Sequence, residues 1–186
     1  MSKIGRKPIA LAGVTIQLKG QKIEFKGPKA SGEYTLPSSL EAQKKDDLLY
    51  ITVKKDAQTG RKQDINRVWG LHRALLANEL AGSKQEFQVP MKIVGLGYKA
   101  VVTGKKIKFT LGYSHDIMFD LPAKVSAEVD KTGQLLTIKS PDKQAAGLVY
   151  SEIRRLCPPE PYKGTGIRRV GEEILRKAGK AKVSGG

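Results

Sequence analysis

His72, His115 and Cys157 are the residues whose side chains could carry acid–base, nucleophilic or metal chemistry near neutral pH. Their spacing supports none of the three. One cysteine and two distant histidines leave a tetrahedral zinc site short of ligands unless carboxylates complete it. His72 falls on the apolar stripe of a helical pattern, where a hydrogen-bonded packing histidine is expected. His115, in GYSHDI, falls in a polar turn between strands, as a surface residue or an RNA contact. The glycines are equally unproductive for catalysis. KGTG around Thr165 lacks the G-x-x-x-x-G-K-[ST] of a phosphate-binding loop, and the chain contains no G-x-S-x-G elbow. Gly95, Gly97 and Ala100 do spell G-x-G-x-x-A after a strand, with Asp116 or Asp120 about 20 residues on, as a dinucleotide fingerprint would. That fingerprint needs a helix whose first amides point at a pyrophosphate. Val101, Val102 and Thr103 are β-branched and Gly104 interrupts the segment at once. A bend between strands is predicted instead, with Tyr98, Lys99, Lys105 and Lys106 as exposed candidates for contact. The chain reads as a non-enzyme with no cofactor and no metal.

Charge points to binding. The 186 residues carry 34 Lys plus Arg against 18 Asp plus Glu, a formal net charge of +16. An excess of that size favours a polyanion, and nucleic acid ranks ahead of an anionic membrane. No stretch of 18 consecutive apolar residues occurs, MSKIGRKPIA lacks the apolar run of a signal peptide, and no long basic amphipathic helix with an aromatic apolar face is present. A soluble, cytoplasmic protein with no membrane partner is expected, and a single cysteine fits a reducing compartment. Both ends are enriched in cations: residues 1–29 hold 7 basic residues against Glu24 alone, and residues 158–186 hold 7 against Glu160, Glu172 and Glu173.

The last stretch, PPEPYKGTGIRRVGEEILRKAGKAKVSGG, has the composition of a grip. Pro158, Pro159 and Pro161 stiffen the backbone ahead of Tyr162, so little entropy is lost when the stretch is held extended. Tyr162 either stacks on an unpaired base or packs back on its own domain. Gly164 and Gly166 allow the main chain to approach a phosphate and offer N–H donors, and Arg168 and Arg169 add fork-shaped ones. Glu172 to Lys177 fit a short helix. Residues 178–186 fit a segment that orders only on its partner.

Two scaffolds must position these groups. KGQKIEFKG (Lys19 to Gly27) matches TGKKIKFTL (Thr103 to Leu111), TLP at Thr35 matches DLP at Asp120, and LYI at Leu49 matches LTI at Leu136. The order is the same in both copies, which argues for internal duplication. In each copy apolar residues alternate before they recur at three and four. Val14, Ile16 and Leu18, Ile23 and Phe25, and Leu49, Ile51 and Val53 predict strands, as do Val89, Met91 and Ile93, Ile107, Phe109 and Leu111, and Ile117, Phe119 and Leu121. Ile65, Val68, Trp69, His72, Leu76 and Leu80 predict a helix stopped by Gly82. Ala145, Val149, Ile153 and Leu156 predict another, capped by Ser140 with Pro141 at its first position and ended by Pro158 and Pro159. The fold class is α+β: two similar small domains, each an antiparallel sheet covered by one helix, plus a basic C-terminal tail. Residues 1–82 form the first domain, 83–170 the second, and 171–186 the extension.

PEPYKGTGI (Pro159 to Ile167) resembles the C-terminal signature of the bacterial large-subunit ribosomal protein L-six family. MSKIGRKPI is similar to that family's amino terminus, IVGLGYKA to the opening of its second domain, LGYSH (Leu111 to His115) to the next strand and turn, and DKQ (Asp142 to Gln144) to the start of its last helix. Thr165 stands where the signature normally has Lys. The resemblance implies a structural constituent of the large ribosomal subunit. It further implies binding to large-subunit rRNA near the sarcin-ricin loop and stalk base, mainly through the second domain and tail, with a contribution to subunit assembly. Neighbouring ribosomal proteins and nearby translational GTPases are the implied protein partners. The RNA-binding residues it implies are Tyr162, Lys163, Gly164, Gly166, Arg168 and Arg169, with support from Lys99, Ser114, His115 and the last basic residues, Arg176, Lys177 and Lys180. Lys105 and Lys106 join them as exposed cations.

Overall fold

A computed structural model describes residues 2–11, 13–54 and 62–179, the side chains of 62 and 63 excepted. Lys180 and the residues after it in the predicted terminal segment lie outside the described residues. The chain divides into two compact units, Met1–Glu86 with Pro141–Lys143, and Phe87–Ser140 with Gln144–Gly186.

In the first unit β1 (Ile9–Ala10), β6 (Leu48–Val53) and β5 (Leu40–Lys45) form one antiparallel sheet in the order β1-β6-β5. A second sheet joins β2 (Thr15–Lys19), β3 (Lys22–Lys26) and β4 (Ser31–Thr35) in sequence order. The helix α1 (Lys62–Lys84) completes this unit. Ile23, Leu36, Leu40, Leu49 and Leu76 are buried together in its core, and Trp69 donates its indole N–H to the Ile51 carbonyl at 2.8 Å.

The second unit repeats the plan. β8 (Lys99–Thr103), β9 (Lys106–Thr110) and β10 (Ile117–Asp120) form the three-stranded sheet. β11 (Ser126–Val129), β12 (Leu135–Ser140) and β7 (Phe87–Val94) follow the pattern of β5, β6 and β1, and α2 (Lys143–Leu156) supplies the helix. Equivalence extends to single hydrogen bonds. Leu36 N–H donates to Gln21 C=O and Leu121 N–H to Lys105 C=O, both at 2.8 Å; Leu40 N–H donates to Pro37 and Val125 N–H to Pro122, both at 3.0 Å. These are the positions of the repeated TLP and DLP motifs, so the sequence repeat is a repeat of turn chemistry. The copies differ at one edge. In the second unit β13 (Gly166–Arg169) adds a fourth strand antiparallel to β7, giving the order β11-β12-β7-β13.

Four details depart from the sequence reading. Each unit holds two sheets, because the short and weakly patterned β1, β4, β5 and β11 raise the strand number beyond what alternation reveals. Gly82 does not stop α1: Gln85 N–H donates to the Ala81 carbonyl, and the helix ends where the Ser83 carbonyl turns to accept the Lys29 N–H at 2.9 Å. Ser140 is the buried last residue of β12, donates its hydroxyl to the Lys124 carbonyl, and precedes a helix that begins at Lys143. Glu172–Lys177 is not helical. Its backbone and side chains are held by longer-range partners described below.

Candidate nucleic-acid interface

Pro158 and Pro159 stop α2, and the chain then folds into a closed loop. Gly164 N–H donates to Glu160 C=O at 3.0 Å, Glu160 N–H to Thr165 C=O at 2.9 Å, and Ile167 N–H to Cys157 C=O at 2.8 Å. The Thr165 hydroxyl donates to the Glu160 carboxylate at 3.2 Å. At the tip stand Pro161, Tyr162 and Lys163, all exposed, with Tyr162 presenting 54% of its surface.

The two glycines of the signature serve the protein itself, which corrects their expected use. The Gly164 amide is taken by Glu160. Gly166, at φ 132°, brings its Cα so close to the preceding chain that a Cβ would meet the Pro158 carbonyl oxygen at 2.6 Å. Both glycines are buried. Their lack of a side chain lets the loop close on its own backbone, and the side chains at the tip are left to face outward.

From Gly166 the chain enters β13, so Arg168 and Arg169 belong to a sheet edge and not to a tail. Ile167 is fully buried beside Ile93, and this anchor turns Arg168 to the opposite face. Glu172 then fixes the return: its carboxylate accepts from Arg154 at 2.6 Å and from the Arg169 N–H at 3.0 Å, while Arg154 also donates to the Tyr150 hydroxyl. Lys177 N–H donates to Pro161 C=O at 2.9 Å. A Cβ on Gly164 would lie 3.1 Å from the Arg176 guanidinium, so Arg176 lies over the loop. Tyr162, Lys163, Gly164, Arg176 and Lys177 are thereby gathered in one place.

The remaining candidates divide. Lys99 is opposite Thr110 in the β8–β9 ladder, and Ser114 and His115 lie in the loop just beyond, all exposed. Tyr113 in that loop donates its hydroxyl to the Leu156 carbonyl at 2.7 Å, which ties the loop to the end of α2 where the signature begins. Tyr113 was not predicted; only its position within LGYSH could have signalled it. Lys105 and Lys106 are at the other end of the hairpin, roughly 13 Å away along five residues of strand. There Lys105 donates to the Ala123 carbonyl at 3.1 Å and Lys106 pairs with Asp120 at 3.5 Å.

Ion pairing differs between the three-stranded sheet and the signature. On the β8–β9–β10 sheet Lys108 pairs with Asp116 at 2.8 Å. The Lys108 hydrogen bond, and then that of Thr110, hold the Asp116 carboxyl below its usual range. Around the signature, Lys163, Arg168, Arg169, Arg176 and Lys177 form no ion pair among the described residues.

The groups considered for chemistry have structural partners. The Tyr34 hydroxyl and His72 Nδ1 are 2.7 Å apart, joining β4 to α1, and burial raises the Tyr34 pKa. Burial likewise raises the Cys157 thiol pKa, which disfavours the nucleophilic thiolate. Gly95 to Ala100 form a turn into β8 with the Tyr98 ring covering Gly95, so no helix N-terminus faces a pyrophosphate there. Among the described residues no group of three His, Cys, Asp or Glu is placed to hold a metal, and no helix is long and apolar enough to cross a membrane.

The sequence model of the family described as ribosomal protein L6 matches residues 94–169, which span β8 to β13. The chain is similar to the large ribosomal subunit protein uL6 of Gloeobacter violaceus, 40% identical over 97% of this chain and 98% of that protein. It is also similar to the uL6 proteins of Beijerinckia indica, at 38% identity, and Xanthobacter autotrophicus, at 40%, each aligned over 98% of this chain and 100% of the relative.

Proposed function

The chain belongs to the ribosomal protein L6 family, and on that premise we propose that it is a structural, non-catalytic component of the large subunit in the cytoplasmic ribosome, bound to large-subunit rRNA. Its second unit and the segment from Pro158 to Lys177 provide the principal RNA contacts. The RNA partner lies near the sarcin-ricin loop and the stalk base. There the protein supports subunit assembly and the region where translational GTPases dock, beside neighbouring ribosomal proteins.

One observation carries this reading: among the described residues Lys163, Arg168, Arg169, Arg176 and Lys177 have no carboxylate partners, while Lys106 and Lys108 of the adjoining three-stranded sheet do. A lysine already paired with an aspartate must give up that partner to meet a phosphate, so it contributes little net affinity. An unpaired cation held by a hydrogen-bonded loop and strand loses little entropy on binding and releases a condensed counterion from the RNA. Lys163, Arg168, Arg169, Arg176 and Lys177 satisfy both conditions, and Tyr162 adds an exposed ring for stacking. Lys99, Ser114 and His115 extend the same end of the unit. Gly164 and Gly166 act by shaping the loop, and Lys105 and Lys106 are peripheral.

Co-sedimentation tests the reading. Tagged full-length protein expressed in cells should migrate with large subunits through a gradient after a moderate salt wash. Its recovery only at the top of the gradient would contradict the assignment.

A further inference from the structure

We propose that Lys92 and Arg168 form a two-cation clamp for a single phosphate of the RNA backbone, an inference that rests on the rRNA-binding reading and adds to it a residue from the body of the second unit. Lys92 of β7 is directly opposite Arg168 of β13 in the antiparallel ladder. Directly opposed residues share a face, with Cβ atoms about 5 Å apart. Lys92 is exposed and Arg168 half-buried.

Like charges in direct opposition destabilise a sheet unless something neutralises them. Where the described strands oppose two other cations, Lys19 and Lys22 of β2 and β3, the protein supplies the neutralising groups, Glu24 for Lys19 at 2.7 Å and Glu33 for Lys22 at 3.9 Å. Lys92 and Arg168 have no ion pair among the described residues. Lys92 is flanked on its other side by Leu135, which is 41% exposed, and the neighbouring rows hold Val94 with Gly166 and Pro90 with Thr137. Two carboxylates share this face, Glu128 of β11 and Asp130 just past its end; both lie two strands from Lys92, Glu128 is engaged by Lys139, and Asp130 accepts from the Thr132 hydroxyl at 3.2 Å.

Register makes the arrangement specific. Burial of Ile167 and the tight approach of Gly166 fix β13 so that Arg168 faces outward beside Lys92; a slip by one residue would turn it inward. Among the described residues the first unit has no strand equivalent to β13, so there the pair belongs to the second alone. A guanidinium fork and an ammonium converging from adjacent strands match the several oxygens of one phosphodiester.

The test compares the full-length protein with Lys92→Gln, Arg168→Gln and the double variant, measuring affinity for large-subunit rRNA across a salt series and the thermal midpoint of each. Each single change should weaken binding severalfold, and the double change should lower the log–log salt slope by about 0.7–0.9 in total, the loss of one phosphate contact. A steep parent slope that neither variant alters overturns the clamp while leaving RNA binding intact. A double variant that loses twice that slope places the cations on separate phosphates and also overturns it. A flat parent profile removes the underlying reading. Lys92→Glu supplies a control, since it creates an opposite-charge cross-strand pair. Its thermal midpoint should hold or rise while RNA affinity falls at least tenfold, and a fall in midpoint would make Lys92 structural and overturn the proposal.

Discussion

Gly166 lies so tightly against Pro158 that the signature loop and the edge strand β13 are one structural unit. The φ of 132° at Gly166 and the 2.6 Å approach of a hypothetical Cβ to the Pro158 carbonyl oxygen leave no room for any other residue. Gly166→Ala should therefore destabilise the protein by about 3 kcal/mol, combining backbone strain with overpacking. It should also weaken RNA binding, because Arg168 would lose its register. Calorimetry and an RNA titration check both, and a variant with parental stability would contradict the close approach.

Glu172 joins Arg154 of α2 to the Arg169 amide at the end of β13. Glu172→Gln weakens both contacts in a partly exposed site, for an expected loss of roughly 1 kcal/mol. Faster amide exchange around Arg169 would accompany it. Unchanged exchange would show that the segment after β13 is held by other contacts.

Tyr162 is set at the loop tip by backbone hydrogen bonds, with more than half its surface in solvent. Removing its ring by Tyr162→Ala should cost about 1–3 kcal/mol of RNA affinity if it stacks on a base, with the thermal midpoint unchanged. A drop in midpoint with full RNA affinity would instead assign the ring to internal packing.

The Asp116 carboxyl is held below its usual value of 3.8 first by the Lys108 hydrogen bond and then by that of Thr110. A carboxyl whose folded pKa is depressed favours the folded state when ionised. That contribution is complete above pH 3.8 and is lost as pH falls through the lower folded value. It is small for so exposed a group. A carbon-detected titration should place the Asp116 midpoint below 3.8, and Lys108→Ala should move it upward. An unmoved midpoint would separate Lys108 from the effect.

The legible part of this molecule was the part governed by alternation and turn chemistry. Ile23 and Phe25, Ile107 and Phe109, and the TLP and DLP turns announced two copies of one plan because each buried side chain and each turn amide recurs in register. The strand β13 was not legible. Ile167 is its single buried large residue, prolines and glycines surround it, and pairing with β7 is a long-range event that no local pattern encodes. The same limit explains the glycines: a sequence shows that Gly164 and Gly166 permit close approach, but only the fold shows that the approaching group is the protein's own Glu160 or Pro158. Lys92 is not legible in the sequence for a related reason, since its significance comes from Arg168 across the ladder. The nonhelical course of Glu172–Lys177 follows from Arg154, Pro161 and the Arg169 amide, partners that local helix propensity does not include.

If rigidly presented cations around β13 hold rRNA by its phosphates, affinity for that RNA must depend steeply on salt. With about six phosphate contacts, the affinity of the full-length protein for large-subunit rRNA should fall on the order of a thousandfold between about 50 and about 200 mM salt. Arg168→Glu combined with Arg169→Glu should flatten that dependence without unfolding the protein. An affinity that does not change over the same salt range would contradict the account.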